Sequence, residues 1–353
     1  MQKNYYSYQE VFLKPRYSEF HSRGEADVSV KLGNKTFKVP VMPANMKCTI
    51  DAAKAKWMSE NDYFYVMHRF NSDPSSAPNT DNKKFIEMAN RESFKNISIS
   101  LGVKDEDKEL IEYCVKQNLA IDYITIDIAH AHSIRMKEML EFLSVAHTKG
   151  TYERPFIIAG NVASPEAVID LENWGADAVK CGIAQGDACT TYGQTGFGLP
   201  MFTCIQECAA VARKPVIADG GIRTNGDFAK ALVAGGTMVM AGSVFAACID
   251  SPAETIYKIS KTNELREGMK IGAGGVFEKS MDEILAKRTY KTYFGSASAK
   301  NKGANVHVEG RVVELECNKM TYADKLDEIT QSLQSAVSYA GGDLNKVDYG
   351  IRS

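Results

Sequence analysis

The chain contains the stretch Asp177-Ala178-Val179-Lys180-Cys181-Gly182-Ile183-Ala184-Gln185-Gly186-Asp187-Ala188-Cys189-Thr190-Thr191, in which an apolar run leads into a glycine-containing loop and then a cysteine. The run has the length and composition of a short buried strand. Glycine allows a backbone to approach a ligand closely or to adopt a positive φ. A thiol just beyond the end of a strand can act as a nucleophile. Alone, this cysteine could equally be an ordinary loop residue, because free cysteines usually behave as small hydrophobic side chains.

Short apolar runs recur along the chain and predict its fold. Most are rich in branched residues and do not alternate cleanly with polar residues, as expected of strands buried on both faces of a parallel sheet. Helical patterns lie between them, for example at 50–61 and 105–117. Eight such repeats predict a closed (β/α)8 TIM barrel, with a doubly wound open sheet as the alternative. The predicted strands are 39–43, 64–67, 97–101, 123–127, 156–159, 176–179, 215–218 and 237–240.

The length of 353 residues is compatible with one large barrel, and we predict a single domain over 1–353. Residues 1–38 form a polar, irregular lead-in. Residues 261–319 are polar and contain scattered glycines, as expected of a flap after the last strand, and Tyr290, Tyr293 and Phe294 favour a flap over a disordered insertion. Residues 320–353 are predicted to form a C-terminal helix and tail, because Leu326, Ile329 and Leu333 recur at helical spacing.

Composition narrows the classes of partner. A net charge of −2 and the lack of a long basic stripe argue against nucleic acid as a ligand. The eight cysteines include no CxxC pair, which predicts a reducing, cytoplasmic location rather than a disulfide framework or a zinc site. We see no signal peptide at the start and no run of 18 apolar residues, so we expect no membrane association.

Small and polar residues follow the predicted strands at the end where barrel enzymes carry their active sites. Glycines after strands 7 and 8 occupy the usual phosphate-binding loops of this fold, and together they favour a phosphate ligand. The residues at these strand ends are Asn45, Met46, Arg69, Asp127, Ile128, Ala129, Asn161, Asp219, Gly220, Gly221, Gly242 and Ser243.

Several motifs in order resemble the IMP dehydrogenase and GMP reductase family over nearly the whole chain. The shorter, bacterial GMP reductase branch resembles it best, because there is no room for the regulatory insertion that IMP dehydrogenases usually carry. The motifs are Pro43-Ala44-Asn45-Met46, Ile126-Asp127-Ile128-Ala129-His130, Ile158-Ala159-Gly160-Asn161-Val162, Cys189-Thr190-Thr191, Thr195-Gly196-Phe197-Gly198, Ala218-Asp219-Gly220-Gly221-Ile222-Arg223, Gly242-Ser243, Tyr293-Phe294-Gly295-Ser296-Ala297-Ser298 and Val308-Glu309-Gly310-Arg311.

The resemblance implies an oxidoreductase that converts GMP to IMP and ammonia with NADPH. Cys189 matches the nucleophile, which forms a thioimidate at purine C2, and Thr191 and Glu309 match the pair that handles the proton of the amine. The resemblance also implies a purine substrate, a homotetramer and a potassium ion held by the backbone carbonyls of Ala184, Gly186 and Cys189. The implied substrate contacts are Asn45, Met46, Asn161, Asp187, Asp219, Gly220, Gly221, Gly242, Ser243, Gly295 and Ser296, and the implied cofactor contacts are Arg69, Asp127, Ile128, Ala129, Cys181 and Gly182.

The loop before the cysteine departs from the family pattern at three positions. Ala184 replaces a glycine and disfavours a positive φ, and Gln185 replaces a proline. Asp187 stands where relatives face the phosphate with serine or lysine, and a carboxylate about 4 Å from a phosphate is repelled by roughly 4 kcal/mol per unit charge at an effective dielectric of 20. Four interpretations therefore stay open: a GMP reductase with an altered loop, a relative acting on another and even unphosphorylated purine, a non-catalytic nucleotide-binding barrel, and IMP dehydrogenase itself.

Overall fold

The structure is a computed structural model that describes residues 4–146, 154–262, 269–271, 277–279, 284–295, 298 and 309–352. Its strands are β1 (Val11–Leu13), β2 (Val30–Leu32), β3 (Lys35–Phe37), β4 (Val41–Pro43), β5 (Ser98–Leu101), β6 (Tyr123–Asp127), β7 (Phe156–Val162), β8 (Ala178–Cys181), β9 (Val216–Asp219), β10 (Met238–Ala241), β11 (Thr255–Thr262), β12 (Met269–Ile271), β13 (Phe277–Lys279), β14 (Ile284–Phe294), β15 (Val312–Glu316) and β16 (Tyr349–Ile351). Its α-helices are α1 (Ala52–Glu60), α2 (Thr80–Arg91), α3 (Asp105–Gln117), α4 (Ile134–Ala146), α5 (Pro165–Asn173), α6 (Thr191–Thr195), α7 (Met201–Val211), α8 (Asn225–Val233), α9 (Ser243–Ala246) and α10 (Tyr322–Tyr339).

Seven parallel strands form the central sheet in the order β4-β10-β9-β8-β7-β6-β5. The sheet curls into the predicted TIM-barrel-like (β/α)8 fold. The predicted second strand, 64–67, is the exception, because it contributes a single parallel bridge between Met67 and Ile99. Met67 donates to the carbonyl of Ser98 at 3.0 Å and accepts from the N–H of Ser100 at 2.9 Å. This stretch occupies the eighth position of the barrel without forming a ladder.

Local sequence signals account for the helix boundaries. Helix α3 has the predicted bounds, and its first turn carries Asp105, Glu106 and Asp107, acidic residues that the positive end of a helix stabilises. Ser164 caps α5 by accepting the N–H of Ala167 at 3.3 Å. These helices cover the sheet and keep its strands buried on both faces.

The amino-terminal end of the barrel is closed by the hairpin of β2 and β3. Leu32 and Phe37 from this hairpin join the side chains that fill the barrel interior. Phe37, Phe64 and Tyr123 meet edge to face, with ring centroids 5.0 to 6.0 Å apart. The Tyr123 hydroxyl donates to the Leu32 carbonyl at 2.8 Å. The expectation of an irregular lead-in over 1–38 is therefore wrong for this hairpin, which is held by packing against distant strands.

The two ends of the described chain meet on one side of the barrel. Strand β1 pairs antiparallel with β16, so that Val11 lies opposite Ile351. Helix α10 lies within the predicted region and packs on α8, with Leu326, Ile329 and Leu333 buried. Among the described residues, no helix is both long and apolar enough to cross a bilayer.

Beyond β10, the predicted flap region contains an antiparallel sheet in the order β11-β14-β15. Its first strand, β11, begins before residue 261, and several segments of the predicted flap lie outside the described residues. Those segments include Gly272–Gly275 and Ser296. Tyr293 and Phe294 at the end of β14 are buried together with Cys48 and Ala188, which brings this sheet against the carboxyl end of the barrel.

Replacing Leu333 with alanine tests the packing of α10. Leu333 is 1% exposed, so truncation should lower the free energy of unfolding by about 2–5 kcal/mol through lost burial and a residual cavity. Gln331→Ala, at an exposed position of the same helix, should change it by less than about 0.5 kcal/mol. Urea unfolding followed by circular dichroism measures both values, and equal stabilities of the two variants would contradict the described packing.

Candidate active site

A cavity of 370 Å³ opens at the carboxyl ends of the parallel strands. This is the end of the barrel where the sequence places the site, and the cavity brings most of the predicted residues together. It is lined by Asn45, Met46, Arg69, Asp127, Ile128, Ala129, Asn161, Gly182, Ala184, Gly186, Asp187, Cys189, Thr191, Asp219, Gly220, Gly221, Gly242, Ser243, Gly295 and Glu309.

Two predicted residues are not among those lining the cavity. Cys181 is fully buried and belongs to the core around the barrel, together with Cys204 and Cys208. Successive side chains of a strand point to opposite faces, and Lys180 points into the barrel, so Cys181 points outwards. The structure therefore does not bring the Cys181 side chain to the cavity. Ser296 lies outside the described residues.

Cys189, Thr191 and Glu309 form a chain of hydrogen bonds facing the cavity. The half-buried Cys189 thiol donates to Thr191 Oγ1 at 3.2 Å, and the Thr191 hydroxyl donates to Glu309 Oε2 at 2.7 Å. The arrangement links a thiol, a hydroxyl and a carboxylate in that order through hydrogen bonds. Such a chain can carry a proton to or from a group that reacts at the sulfur.

Backbone contacts hold the segment of Glu309 against the cysteine loop. Thr190 N–H donates to the Glu309 carbonyl at 2.9 Å, and Arg311 N–H donates to the Ala188 carbonyl at 2.9 Å. Cys189 and Gly310 form an antiparallel bridge between these two bonds. Main-chain pairing thus fixes the backbone of Glu309, and the Thr191 hydroxyl orients its carboxylate.

A buried ammonium group lies at the base of the cavity. Lys180, 1% exposed, donates to Asp127 Oδ1 at 3.0 Å, to Asn161 Oδ1 at 2.5 Å and to the Asp219 carboxylate. Asn45 donates to Asp127 Oδ2 at 2.8 Å, and Asn161 donates to Asp219 Oδ2 at 2.9 Å. Every charge in this network therefore has an opposite charge or a polar group beside it.

The protonation states in this network follow from its charges. Burial by itself would lower the pKa of Lys180, but the carboxylates of Asp127 and Asp219 outweigh it and hold that pKa above the ordinary lysine value. Burial likewise opposes the charge of Asp127, yet the Lys180 ammonium keeps the Asp127 pKa below its usual value. Both groups stay ionised at neutral pH.

Sequence reasoning gave Lys180 no role, although a signal was present. It is the one basic residue in the apolar run Ala178–Cys181, and a lysine inside a buried strand needs a partner of opposite charge. The aspartates that provide this charge, Asp127 and Asp219, end two other strands of the same sheet.

The shape of the cavity requires glycine at two of the predicted positions. Gly182 has φ +138°, and a Cβ there would lie 2.1 Å from the carbonyl oxygen of Asp219. A Cβ on Gly242 would lie 2.2 Å from the hydroxyl of Tyr293, which is buried at the end of β14. Here the glycines allow close approach within the protein itself.

The altered loop keeps a left-handed residue despite its sequence. Ala184 adopts φ +67°, the region that its methyl group disfavours and that a glycine would adopt freely. The next residue, Gln185, accepts the N–H of Gly221 at 3.0 Å through its carbonyl. The cysteine loop therefore packs on the loop after β9, and Ala184 carries local backbone strain.

The Asp187 carboxylate points among the residues predicted to bind phosphate. Ser243 Oγ donates to Asp187 Oδ2, and Arg223 Nε lies 3.8 Å from Asp187 Oδ1. Arg311 Nη2 donates to the Asp187 carbonyl at 3.4 Å. Asp187 thus interacts with groups from the loops after β9 and β10 and from the segment that contains Glu309.

The chain is similar over nearly its whole length to proteins of one family. A family model described as the IMP dehydrogenase / GMP reductase domain matches residues 5–347. A GMP reductase of Acidovorax sp. (strain JS42) is 43% identical over 353 residues, covering 98% of this chain and 95% of the relative. A GMP reductase of Bacillus subtilis (strain 168) is 43% identical over 355 residues, covering 99% of this chain and 96% of the relative.

Replacing Lys180 with methionine should remove the ammonium that the half-buried carboxylates of Asp127 and Asp219 share, and should cost about 3–5 kcal/mol of stability at pH 7. The wild-type network loses stability only when the pH falls below the ordinary carboxyl range or rises above the ordinary lysine range, because the Asp127 pKa is lowered and the Lys180 pKa is raised. In the variant, protonation relieves the repulsion between carboxylates, so its deficit should shrink from pH 8 to pH 5. Urea unfolding across this range tests the effect, with exposed Lys116→Met as control, and a deficit independent of pH would contradict it.

Replacing Ala184 with glycine should raise the free energy of unfolding by about 1 kcal/mol, because glycine adopts the observed positive φ without strain. The matched control is Ala212→Gly, at a residue with φ −69°, where the same change should destabilise the protein through the flexibility that it adds to the unfolded chain. Thermal unfolding of both variants measures the difference. Destabilisation by Ala184→Gly would show that the loop does not hold this conformation.

Proposed function

Because the chain belongs to the IMP dehydrogenase and GMP reductase family, we propose that it reduces a guanine-bearing substrate at purine C2 and releases ammonia. The substrate that the name of its relatives suggests is GMP, which would yield IMP, with NADPH as the reductant. The observation that carries the proposal is the Cys189–Thr191–Glu309 chain of hydrogen bonds at the mouth of the barrel. A non-catalytic binding protein would have no need to align a thiol with a hydroxyl and a carboxylate.

The proposed chemistry divides into two steps that share one sulfur. Cys189 Sγ forms a bond to purine C2, the bond from C2 to its amino nitrogen breaks, and ammonia leaves with the proton that Thr191 and Glu309 deliver. Hydride then adds to C2, the carbon–sulfur bond breaks, and the thiolate returns to the enzyme. Atoms and charge balance when one reduced nicotinamide and one proton are consumed for each ammonia released, because the proton restores the Cys189 thiol.

The residues near Arg69 suit a reduced nicotinamide, which supplies the hydride when bound. Arg69 Nε is buried and has no hydrogen-bond partner among the described residues, although it belongs to a residue that lines the cavity. A buried donor of this kind calls for an acceptor on a ligand. We assign the nicotinamide side of the cavity to Arg69, Asp127, Ile128, Ala129 and Gly182, and the preference for NADPH over NADH is part of the proposal.

The other expectations drawn from the resemblance remain proposals. The carbonyls of Ala184, Gly186 and Cys189 would hold potassium, and the Gly186 carbonyl, which accepts the Cys189 N–H at 2.9 Å, keeps a second lone pair for a cation. Replacing potassium by sodium should then lower turnover. A homotetramer would have about four times the mass of the 38.8 kDa chain in light scattering, and a cytoplasmic location is proposed alongside it.

Substitutions in the hydrogen-bonded chain test the proposed chemistry. Cys189→Ala should abolish oxidation of the reduced cofactor, because no bond to C2 can form. Thr191→Ala and Glu309→Gln should each lower kcat by about 10²–10⁴ with small changes in KM, as expected when a proton-transfer partner is lost. Absorbance of the reduced cofactor, with GMP or guanosine as substrate, measures these rates.

Exposed Glu112→Gln is the control for Glu309→Gln and should retain wild-type kcat. Labelling of Cys189 by iodoacetamide, read by mass spectrometry, separates the alternatives. A labelled thiol without turnover of any guanine substrate would point to a different purine. A thiol no more reactive than the buried cysteines would favour a binding protein and contradict the proposal.

A further inference from the structure

The part of the cavity that barrels of this kind use for phosphate contains a carboxylate. Asp187 lines the cavity together with Gly220, Gly221, Gly242 and Ser243. Its Oδ2 accepts the hydroxyl of Ser243, the one side-chain donor among these four predicted phosphate ligands. A group able to bind phosphate thus already binds an anion that belongs to the protein.

Two backbone donors of the loop after β9 also have partners within the chain. Gly221 N–H donates to the Gln185 carbonyl at 3.0 Å, and Gly220 N–H donates to the Met240 carbonyl at 3.4 Å. Phosphate-binding loops instead leave such N–H groups free to point at the ligand. Here the main-chain carbonyl of Gln185, the residue that replaces the proline of relatives, accepts the N–H of Gly221.

The charges around the cavity disfavour a second anion. Among the described lining residues, four carboxylates face two cations, Arg69 and Lys180, and Lys180 is already bound by Asp127 and Asp219. Arg223 lies 3.8 Å from Asp187, but its side chain is 63% exposed, so water screens the pair. Juxtaposed like charges in a partly buried site cost several kcal/mol.

We propose that the preferred substrate is a guanine nucleoside without a 5′-phosphate, and that the Asp187 carboxylate accepts a hydrogen bond from its 5′-hydroxyl. This inference rests on the proposed function, because it concerns the sugar end of the molecule whose base reacts at Cys189. A neutral hydroxyl can donate to the carboxylate that would repel a phosphate dianion. Asp187 acts as a specificity-determining residue.

Competing nucleoside and nucleotide assays test the proposal. The wild type should show kcat/KM for guanosine at least about 100-fold above that for GMP, as expected for several kcal/mol of repulsion. Asp187→Ser should raise kcat/KM for GMP and lower that for guanosine about 10-fold, and Asp187→Asn should relieve the rejection of GMP while keeping the size of the side chain. Asp105→Asn, the same chemical change at a 91% exposed side chain, should leave the ratio unchanged.

A substrate analogue tests the hydrogen bond itself. The wild type should bind 5′-deoxyguanosine about 10-fold more weakly than guanosine, whereas Asp187→Ser should bind the two with similar affinity. A wild type that prefers GMP, or a ratio unaffected by Asp187→Ser, would overturn the inference while leaving the reductase intact.

Failure of the proposed function gives a different result. If the wild type oxidises cofactor with neither substrate, the reductase assignment falls, and calorimetric titration of the Cys189→Ala variant decides the substrate class separately. Tighter binding of guanosine than of GMP would still support the role of Asp187. Equal binding, tighter binding of GMP, or binding of neither would overturn it.

Discussion

The structure depends on one buried ammonium group. Lys180 on β8 joins the ends of four consecutive strands, because its partners Asp127, Asn161 and Asp219 come from β6, β7 and β9. Removing these charges from water costs several kcal/mol for each ion, and only near-complete hydrogen bonding offsets that cost. Asn45 completes the set by donating to Asp127. The parallel strands are thereby fixed relative to one another at the edge where the reactive groups project.

This fixed edge explains how remote parts of the chain can assemble one reactive centre. Cys189 follows β8 directly, whereas Glu309 is 118 residues away from Thr191 and arrives with the segment before β15. Main-chain bonds between Thr190 and Glu309 and between Arg311 and Ala188 align the two segments. A rigid strand edge on one side and a backbone pairing on the other leave the thiol, hydroxyl and carboxylate little freedom to separate.

The alternation of strands and helices was sufficient to predict the barrel and the edge that carries the site, because parallel strands bring their carboxyl ends together whatever their separation in sequence. The predictions that failed are those that depend on strand register or on packing between residues distant in sequence. A predicted strand at 176–179 rather than Ala178–Cys181 concealed that Lys180 points inwards and Cys181 outwards. The hairpin within the lead-in has a polar composition, and only its contacts with Phe64 and Tyr123 reveal it. The positive φ of Ala184 contradicted the preference of its side chain, because the loop is docked on Gly221.

The hairpin of β2 and β3 has a kinetic consequence. The hairpin closes the amino-terminal end of the barrel with Phe37 and its aromatic neighbours. The cavity therefore opens at the carboxyl end, next to β14. Under the proposed function, substrate, reduced cofactor and ammonia all exchange through that end. Product release through that end, rather than bond making at sulfur, is then the step expected to limit the rate under the proposed function.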